Sequence, residues 1–155
     1  MRETFKNCIL LTNLDGLDDW DVSSVENMHS TFEGCSSLEE ISALKNWNVS
    51  KCEMMMSMFR DCPCLMNLSG VDNWDVSNVD IMEVLFGGCS FLKDVSALKK
   101  WKLAEGCDVA FMFRDCSRLE DISALFNWNV SNLKFMDSMF ERCKSIKEYP
   151  KWYDG

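Results

Sequence analysis

Residues 77–101 read SNVDIMEVLFGGCSFLKDVSALKKW and contain the defining residues of one repeat of this chain. The apolar side chains of its first half have the spacing of one helical face; they are Val79, Met82, Leu85, Phe86 and Cys89. Ser77, with Asp80 three residues later, is typical of a capped helix start. We therefore expect a helix of about three turns from the serine to the cysteine.

The second half of the unit predicts extended backbone. Leu92, Val95 and Leu98 bring apolar side chains back at short intervals, over a segment too brief for a helix. A tryptophan and a valine then alternate, as at Trp74 and Val76. We expect an inward-facing strand, followed by a second extended stretch that leads to the next serine.

The same residue types return every 27 positions along the chain, which is the pattern of a repeat array. The columns are Phe32, Phe59, Phe86 and Phe113; Cys35, Cys62, Cys89 and Cys116; and Trp47, Trp74, Trp101 and Trp128. One strand and one helix per period predict an α/β fold, a right-handed solenoid forming a single domain over residues 1–155. Its units are 5–31, 32–58, 59–85, 86–112 and 113–139, with a partial capping unit at 140–155.

Two stretches resemble the repeats of BspA-type bacterial surface proteins, which belong to the leucine-rich-repeat superfamily. They are CSSLEEISALKNWNVS at Cys35–Ser50 and the Met-Phe pair at Met58-Phe59. The resemblance implies a leucine-rich-repeat-like solenoid used for adhesion or protein binding, and it implies no catalytic residue. The chain departs from the family pattern in lacking an export signal and in the degenerate unit around residues 102–109.

Charge and hydropathy exclude several classes of function. A net charge of −9 disfavours binding to nucleic acid or to anionic membranes. No apolar run approaches the ~20 residues that a membrane span needs, so no membrane insertion is expected. Met1 already stands at a repeat position, so either the gene starts inside a unit or an export signal and earlier repeats were removed. The resemblance favours the cell surface; a native N-terminus without a signal peptide favours the cytoplasm.

The nine cysteines do not indicate a cofactor or a metal. Six of them occupy one periodic position on the apolar face, where cysteine behaves as a small buried residue. His29 is the only histidine, and no cysteine pairs have zinc-site spacing. No Gly-rich phosphate loop or nucleophile–base constellation is present. We expect free buried thiols, no cofactor, no metal site and no catalytic site.

Two sets of residues interrupt the repeat pattern and are candidates for binding a partner. The first is an acidic row, Glu40, Asp94, Asp121 and Glu148, whose stacking would place like charges side by side. It suits a partner protein with a basic face, although a merely solvated acidic surface would look the same. The second set is apolar, Phe91, Phe111, Val84 and Phe126, and suits either protein contact or packing between units.

The ends of the array and its fourth unit are irregular. Pro150, Trp152 and Tyr153 replace the repeat pattern and predict a C-terminal cap. The N-terminal end has no comparable cover, which leaves end-to-end self-association open. In the fourth unit Ala104 and Gly106 replace a serine and a valine. Restoring both residues, as Ala104→Ser with Gly106→Val, is expected to raise the melting temperature.

The sequence therefore predicts a protein-binding or adhesion module that presents a rigid acidic surface. The alternative is a structural spacer whose repeats set a distance and whose surface binds nothing specific.

Overall fold

The chain is wound into coils of 27 residues that stack in parallel, as the computed structural model describes for residues 1–154. Its helices in this range are short 3₁₀ segments at Ser42–Asn46, Ser96–Lys100 and Ser123–Leu125. Isolated parallel bridges join neighbouring coils: Asn27 with Met54, Met54 with Ile81, Ile81 with Asp108, Asp108 with Phe135, and Asp94 with Asp121. Within the described range no pairing is long enough to form a strand.

The predicted α/β unit, with one strand and a helix of about three turns, is therefore wrong. The segment expected to be helical is instead a run of tight turns. Thr31 and Cys35 donate backbone hydrogen bonds to the carbonyls of Met28 and Phe32, three residues earlier in each case. An α-helix would bond residues four apart without interruption.

Two left-handed residues in every coil explain why no helix forms. The first column has φ between 53° and 57°, and consists of Glu3, Ser30, Ser57, Val84, Phe111 and Ser138. The second has φ between 55° and 78°, and consists of Asn7, Gly34, Asp61, Gly88, Asp115 and Arg142. Within each coil these two residues are four positions apart, and each interrupts a right-handed helix. Glycine, asparagine and aspartate, which tolerate this conformation best, occupy most of the second column.

The interrupted backbone bonds to the next coil instead of to itself. From Met28 onward, alternate N–H groups donate to carbonyls 26 residues ahead, as in Ser30 to Met56 at 3.0 Å and Phe32 to Met58 at 2.9 Å. The N–H groups between them point back along their own coil. The backbone polar groups of this segment are thus divided between local turns and neighbouring coils, which satisfies them without helix or strand.

Stacked aromatic rings fill the space inside the coils. The phenylalanine rings from Phe5 to Phe140 lie 5.3–5.7 Å apart from one coil to the next, with interplanar angles of 1–11°. The indoles of Trp47 and Trp74 are parallel and 6.5 Å apart. Cysteine, leucine, isoleucine, valine and methionine side chains complete a continuous core. This core holds each coil in a fixed register and therefore holds surface residues of successive coils at a constant spacing.

Candidate functional site

The cysteine column makes a regular set of contacts with the coil before it. Each thiol donates to the carbonyl oxygen of a phenylalanine 30 residues earlier: Cys35 to Phe5, Cys62 to Phe32, Cys89 to Phe59, Cys116 to Phe86 and Cys143 to Phe113, at 2.9–3.2 Å. Burial raises the pKa of Cys35 to about 11 and that of Cys89 to about 12. These thiols are protonated at neutral pH and act as buried donors.

All nine cysteines are free thiols, and residues 1–154 contain no cluster of three or more histidine, cysteine or carboxylate side chains that could hold a metal ion. Cys8 is exposed and Cys64 is half-buried, whereas the other seven are buried.

The acidic row has a local structural role that the sequence did not reveal. Asp94 accepts hydrogen bonds from the backbone N–H and the hydroxyl of Ser96, at 3.0 and 2.6 Å. Asp121 accepts the backbone N–H of Ser123 at 2.8 Å, and hydrogen bonds from this serine, the backbone one first, lower the pKa of Asp121. Glu40 accepts the hydroxyl of Ser42 at 3.1 Å. These carboxylates therefore cap the turn that follows them, which offsets the like-charge repulsion along the row.

Three of the predicted residues line one shallow depression of about 270 Å³. Asp121, Phe126 and Glu148 surround it together with Lys147 and Glu120, whose charged groups are 3.6 Å apart. Asp94 is connected to this group through its parallel bridge to Asp121. Glu40 lies at a different depression, beside Asn13 and Asn67. The structure thus brings part of the acidic row together with one of the predicted aromatic residues.

The other apolar candidates lie in two places. Phe91 is 42% exposed, and the guanidinium of Arg118 stands 4.0 Å from its ring centroid. Val84 and Phe111 are half-buried and line a cleft of about 340 Å³. Both belong to the first left-handed column, where three of the other four units have serine.

Charged pairs form the walls of this cleft, and glycines form its floor. Arg60 with Asp61 stands on one side, and Arg114 with Asp115 stands on the other. Gly87 and Gly88 occupy the same periodic positions in the coil between them. Arg142, one coil further on, donates from a terminal nitrogen to Oδ2 of Asp115 at 2.9 Å, and its Nε forms an ion pair with Oδ1 at 2.8 Å.

Sequence reasoning missed the charged residues of the cleft, although a signal was present. An Arg-Asp pair stands at 60–61, a Gly-Gly pair at 87–88 and a second Arg-Asp pair at 114–115, each 27 residues apart. When the coils stack, the two glycines lie between the two Arg-Asp pairs. Because glycine has no side chain, this order predicts a depression between the pairs. The apolar residues of the core repeat in every unit and give the stronger signal in the sequence.

The C-terminal residues contact the last coil. The Trp152 indole donates to the carbonyl of Leu125 at 3.2 Å, in the coil before it. The rings of Tyr149 and Tyr153 meet Phe140 edge-on, with centroids 5.9 and 5.0 Å away. Pro150 is buried.

Comparison with solved structures places this stack of coils in a known class. A leucine-rich repeat protein from Eubacterium ventriosum ATCC 27560 is 18% identical, with a TM-score of 0.50 over 83% of this chain and 30% of that one. The T. pallidum leucine-rich repeat protein is 19% identical, with a TM-score of 0.58 over 97% of this chain and 62% of that one. The chain thus spans less than two thirds of either structure, and the likeness defines the fold as that of a leucine-rich repeat protein.

The family follows from the sequence. Residues 1–67 and 64–154 match the family described as "Mycoplasma protein of unknown function, DUF285", and the chain belongs to it. This membership, together with the leucine-rich-repeat neighbours, confirms the resemblance to BspA-type repeats. No curated protein matches the chain. The helices among the described residues are too short and too polar to cross a membrane.

Proposed function

We propose that this chain is a non-catalytic protein-binding module that presents an acidic surface to a partner with a basic face. The observation that supports the proposal is the depression where Asp121, Phe126 and Glu148 meet. Asp121 is held by Ser123 through one carboxylate oxygen, Oδ1. Its Oδ2 and the exposed carboxylate of Glu148 are therefore open to a cation from a partner.

The aromatic residue adds a second kind of contact. A lysine or arginine of the partner can lie over the Phe126 ring while its charge meets a carboxylate. This geometry occurs elsewhere in the chain, in the contact between Arg118 and Phe91, at 4.0 Å. The net charge of −9 favours the approach of a basic protein from a distance. Adhesion at a cell surface is one use of such a module.

Selection from a random peptide library on the purified chain tests this function. We expect enrichment of lysine- and arginine-containing peptides whose affinity falls about tenfold or more in the Asp121→Asn/Glu148→Gln variant. Asp75→Asn is the matched control, because Asp75 caps Ser77 in the same way but does not line the depression. Equal affinity for the double variant and the wild type would remove the acidic site from the proposal.

The second candidate is a structural spacer. The unbroken phenylalanine stack from Phe5 to Phe140 favours it, because a continuous core keeps the two ends at a fixed distance. A spacer would enrich no peptide in the same selection.

A further inference from the structure

We propose that the cleft between Arg60-Asp61 and Arg114-Asp115 is a second binding site, for a peptide segment that carries an acidic and a basic side chain on either side of an apolar one. The residues that line it are distinct from those of the acidic depression. The inference therefore stands independently of the proposed function.

The dimensions of the cleft suit a short peptide segment. The Phe86 ring lies 5.7 Å from both Phe59 and Phe113, so the two walls are two coil spacings apart, roughly 10 Å. The volume of about 340 Å³ is at the lower end of the range found for ligand sites. The floor is rigid, because Gly87 and Gly88 donate their N–H groups to the carbonyls of Val84 and Arg114.

Strained apolar residues stand at the entrance. Val84 and Phe111 both have φ of 57°, a conformation that costs of order 1–3 kcal/mol for residues other than glycine and is least suited to a β-branched one. Ser30 and Ser57 occupy this position in earlier coils and are buried. In these two coils the side chain of Val84 lies against Gly87, and the Arg114 guanidinium lies 5.4 Å from the Phe111 ring centroid, yet both side chains stay partly exposed. A partner that covers Val84 and Phe111 would bury the apolar surface that remains exposed.

The charges of the cleft are balanced and of both signs. Three of the five arginines in the chain line it, and they face three carboxylates, those of Asp61, Glu83 and Asp115. The cleft thus offers groups of both signs to a ligand, in a chain whose net charge is −9.

Two of these charged groups have unused bonding capacity. The Nε of Arg114 is buried, and it lies 3.2 Å from a carboxylate oxygen of Glu141 without the alignment of a hydrogen bond to any acceptor. Glu83 makes no ion pair or side-chain hydrogen bond within residues 1–154. A bound carboxylate would pair with the exposed part of the Arg114 guanidinium, which is 40% exposed as a side chain, and a bound ammonium or guanidinium would pair with Glu83. Between them, the apolar residue of the ligand would cover Val84 and Phe111.

Fluorescence anisotropy with labelled peptides tests the site. The probe has blocked ends and a Glu-Leu-Lys centre flanked by glycine and serine, and it is used with its Lys-Leu-Glu reversal. The control peptides replace the glutamate with glutamine, the lysine with glutamine, or the leucine with serine. We expect saturable binding of at least one probe and about tenfold weaker binding of each control, as loss of one charged hydrogen bond produces. Absence of saturable binding, or equal binding of probe and controls, would overturn the proposal.

Protein variants distinguish the cleft from other surfaces. Glu83→Gln should weaken probe binding about tenfold. Asp137→Asn is its matched control, because Asp137 has the same periodic position as Glu83, two coils further on, and does not line the cleft. The acidic-depression variant Asp121→Asn/Glu148→Gln should bind the probe as the wild type does. Equal weakening by Asp137→Asn and Glu83→Gln would contradict a localised site.

Val84→Ser/Phe111→Ser separates binding from folding. It restores the serine that three of the other four coils have at this left-handed position, so we expect an unchanged or higher melting temperature. We also expect loss of most probe binding. Full probe binding by this variant would overturn the role of the two apolar residues.

Discussion

The thiol of Cys89 donates a hydrogen bond to the carbonyl oxygen of Phe59, 30 residues earlier, at 3.2 Å. The same carbonyl position is used in each pair of neighbouring coils from Cys35 to Cys143. Cysteine is a small, weakly polar residue that still offers a donor; alanine has no donor, and the hydroxyl of serine costs more to bury in an apolar core.

Replacement of this thiol should therefore weaken the fold. Cys89→Ala leaves a small cavity and an unpaired carbonyl, and we expect it to lower the free energy of unfolding by about 1–2 kcal/mol. Cys8→Ala is the control, because Cys8 is exposed. Urea denaturation of the two variants measures the difference, and equal stability would contradict a structural role for the hydrogen bond.

Stability should fall in alkaline solution because of the same thiols. Burial raises the pKa of Cys35 to about 11 and of Cys89 to about 12, from an ordinary value of 9.0. A raised pKa means that the folded chain holds these protons more tightly than the unfolded chain does. The stabilisation is fully present below pH 9 and is lost as the pH rises toward 11 and 12. The urea midpoint of the wild type should decline over this range more steeply than that of Cys89→Ala; parallel curves would refute the assignment.

The tryptophan column predicts a contrast between two similar substitutions. The Trp74 indole donates to the carbonyl of Leu44 at 3.1 Å and is buried, whereas Trp20 is 43% exposed. Trp74→Phe removes one of the two hydrogen bonds that the Leu44 carbonyl accepts, the other coming from the backbone N–H of Trp47, and we expect a loss of about 1 kcal/mol. Trp20→Phe should cost much less. Thermal unfolding of both variants gives the comparison, and similar losses would show that ring size, not the hydrogen bond, matters.

The structure reverses the effect that the sequence predicts for substitutions in the fourth unit. Gly106 has φ of 77°, so Gly106→Val introduces backbone strain instead of completing a helix, and we expect a loss of about 1 kcal/mol or more. In other coils the serine of this segment is held by a carboxylate or amide two residues earlier, as Ser77 is by Asp75 at 2.7 Å. Lys102→Asp/Ala104→Ser restores that pair and should stabilise the chain by about 0.5–1 kcal/mol. A higher melting temperature for Gly106→Val would restore the helical interpretation.

The C-terminal aromatic residues supply a test of capping. We propose that residues 149–153 shield the last phenylalanine of the stack, since Tyr149 and Tyr153 contact Phe140 and Trp152 bonds to Leu125. Deletion of residues 149–155 should lower the melting temperature and promote aggregation, because it exposes Phe140. Light scattering and thermal unfolding measure both effects. A monodisperse truncation of equal stability would exclude a capping role.

The helix prediction failed because two structures share one spacing of apolar residues. Met82, Phe86 and Cys89 are separated by four and three positions, which describes a helical face. A run of four-residue turns separated by left-handed residues also directs these side chains inward. The choice between them depends on the next coil, whose carbonyls accept every second N–H group. A sequence read one unit at a time does not contain that partner.

Some residues of the candidate site can be recognised in the sequence, and others only in the stacked structure. Val84 and Phe111 stand out in the sequence because they replace a repeated serine. Arg60 and Arg114 do not stand out, because charged residues are ordinary on a surface. Their importance comes from Gly87 and Gly88, which lie between them only after the coils are stacked. Asp94 and Asp121 stand out in the sequence as candidates for binding a partner. In the structure they accept hydrogen bonds from Ser96 and Ser123, which gives them a structural reason to be acidic.

The sequence by itself determined the period of 27 residues and the family, because both are properties of residue order alone. The tertiary structure alone decided that the backbone forms turns instead of helix and strand, and that two Arg-Asp pairs face each other across a glycine floor. The physical reason is that hydrogen bonds and charges act through space, between atoms that belong to different coils.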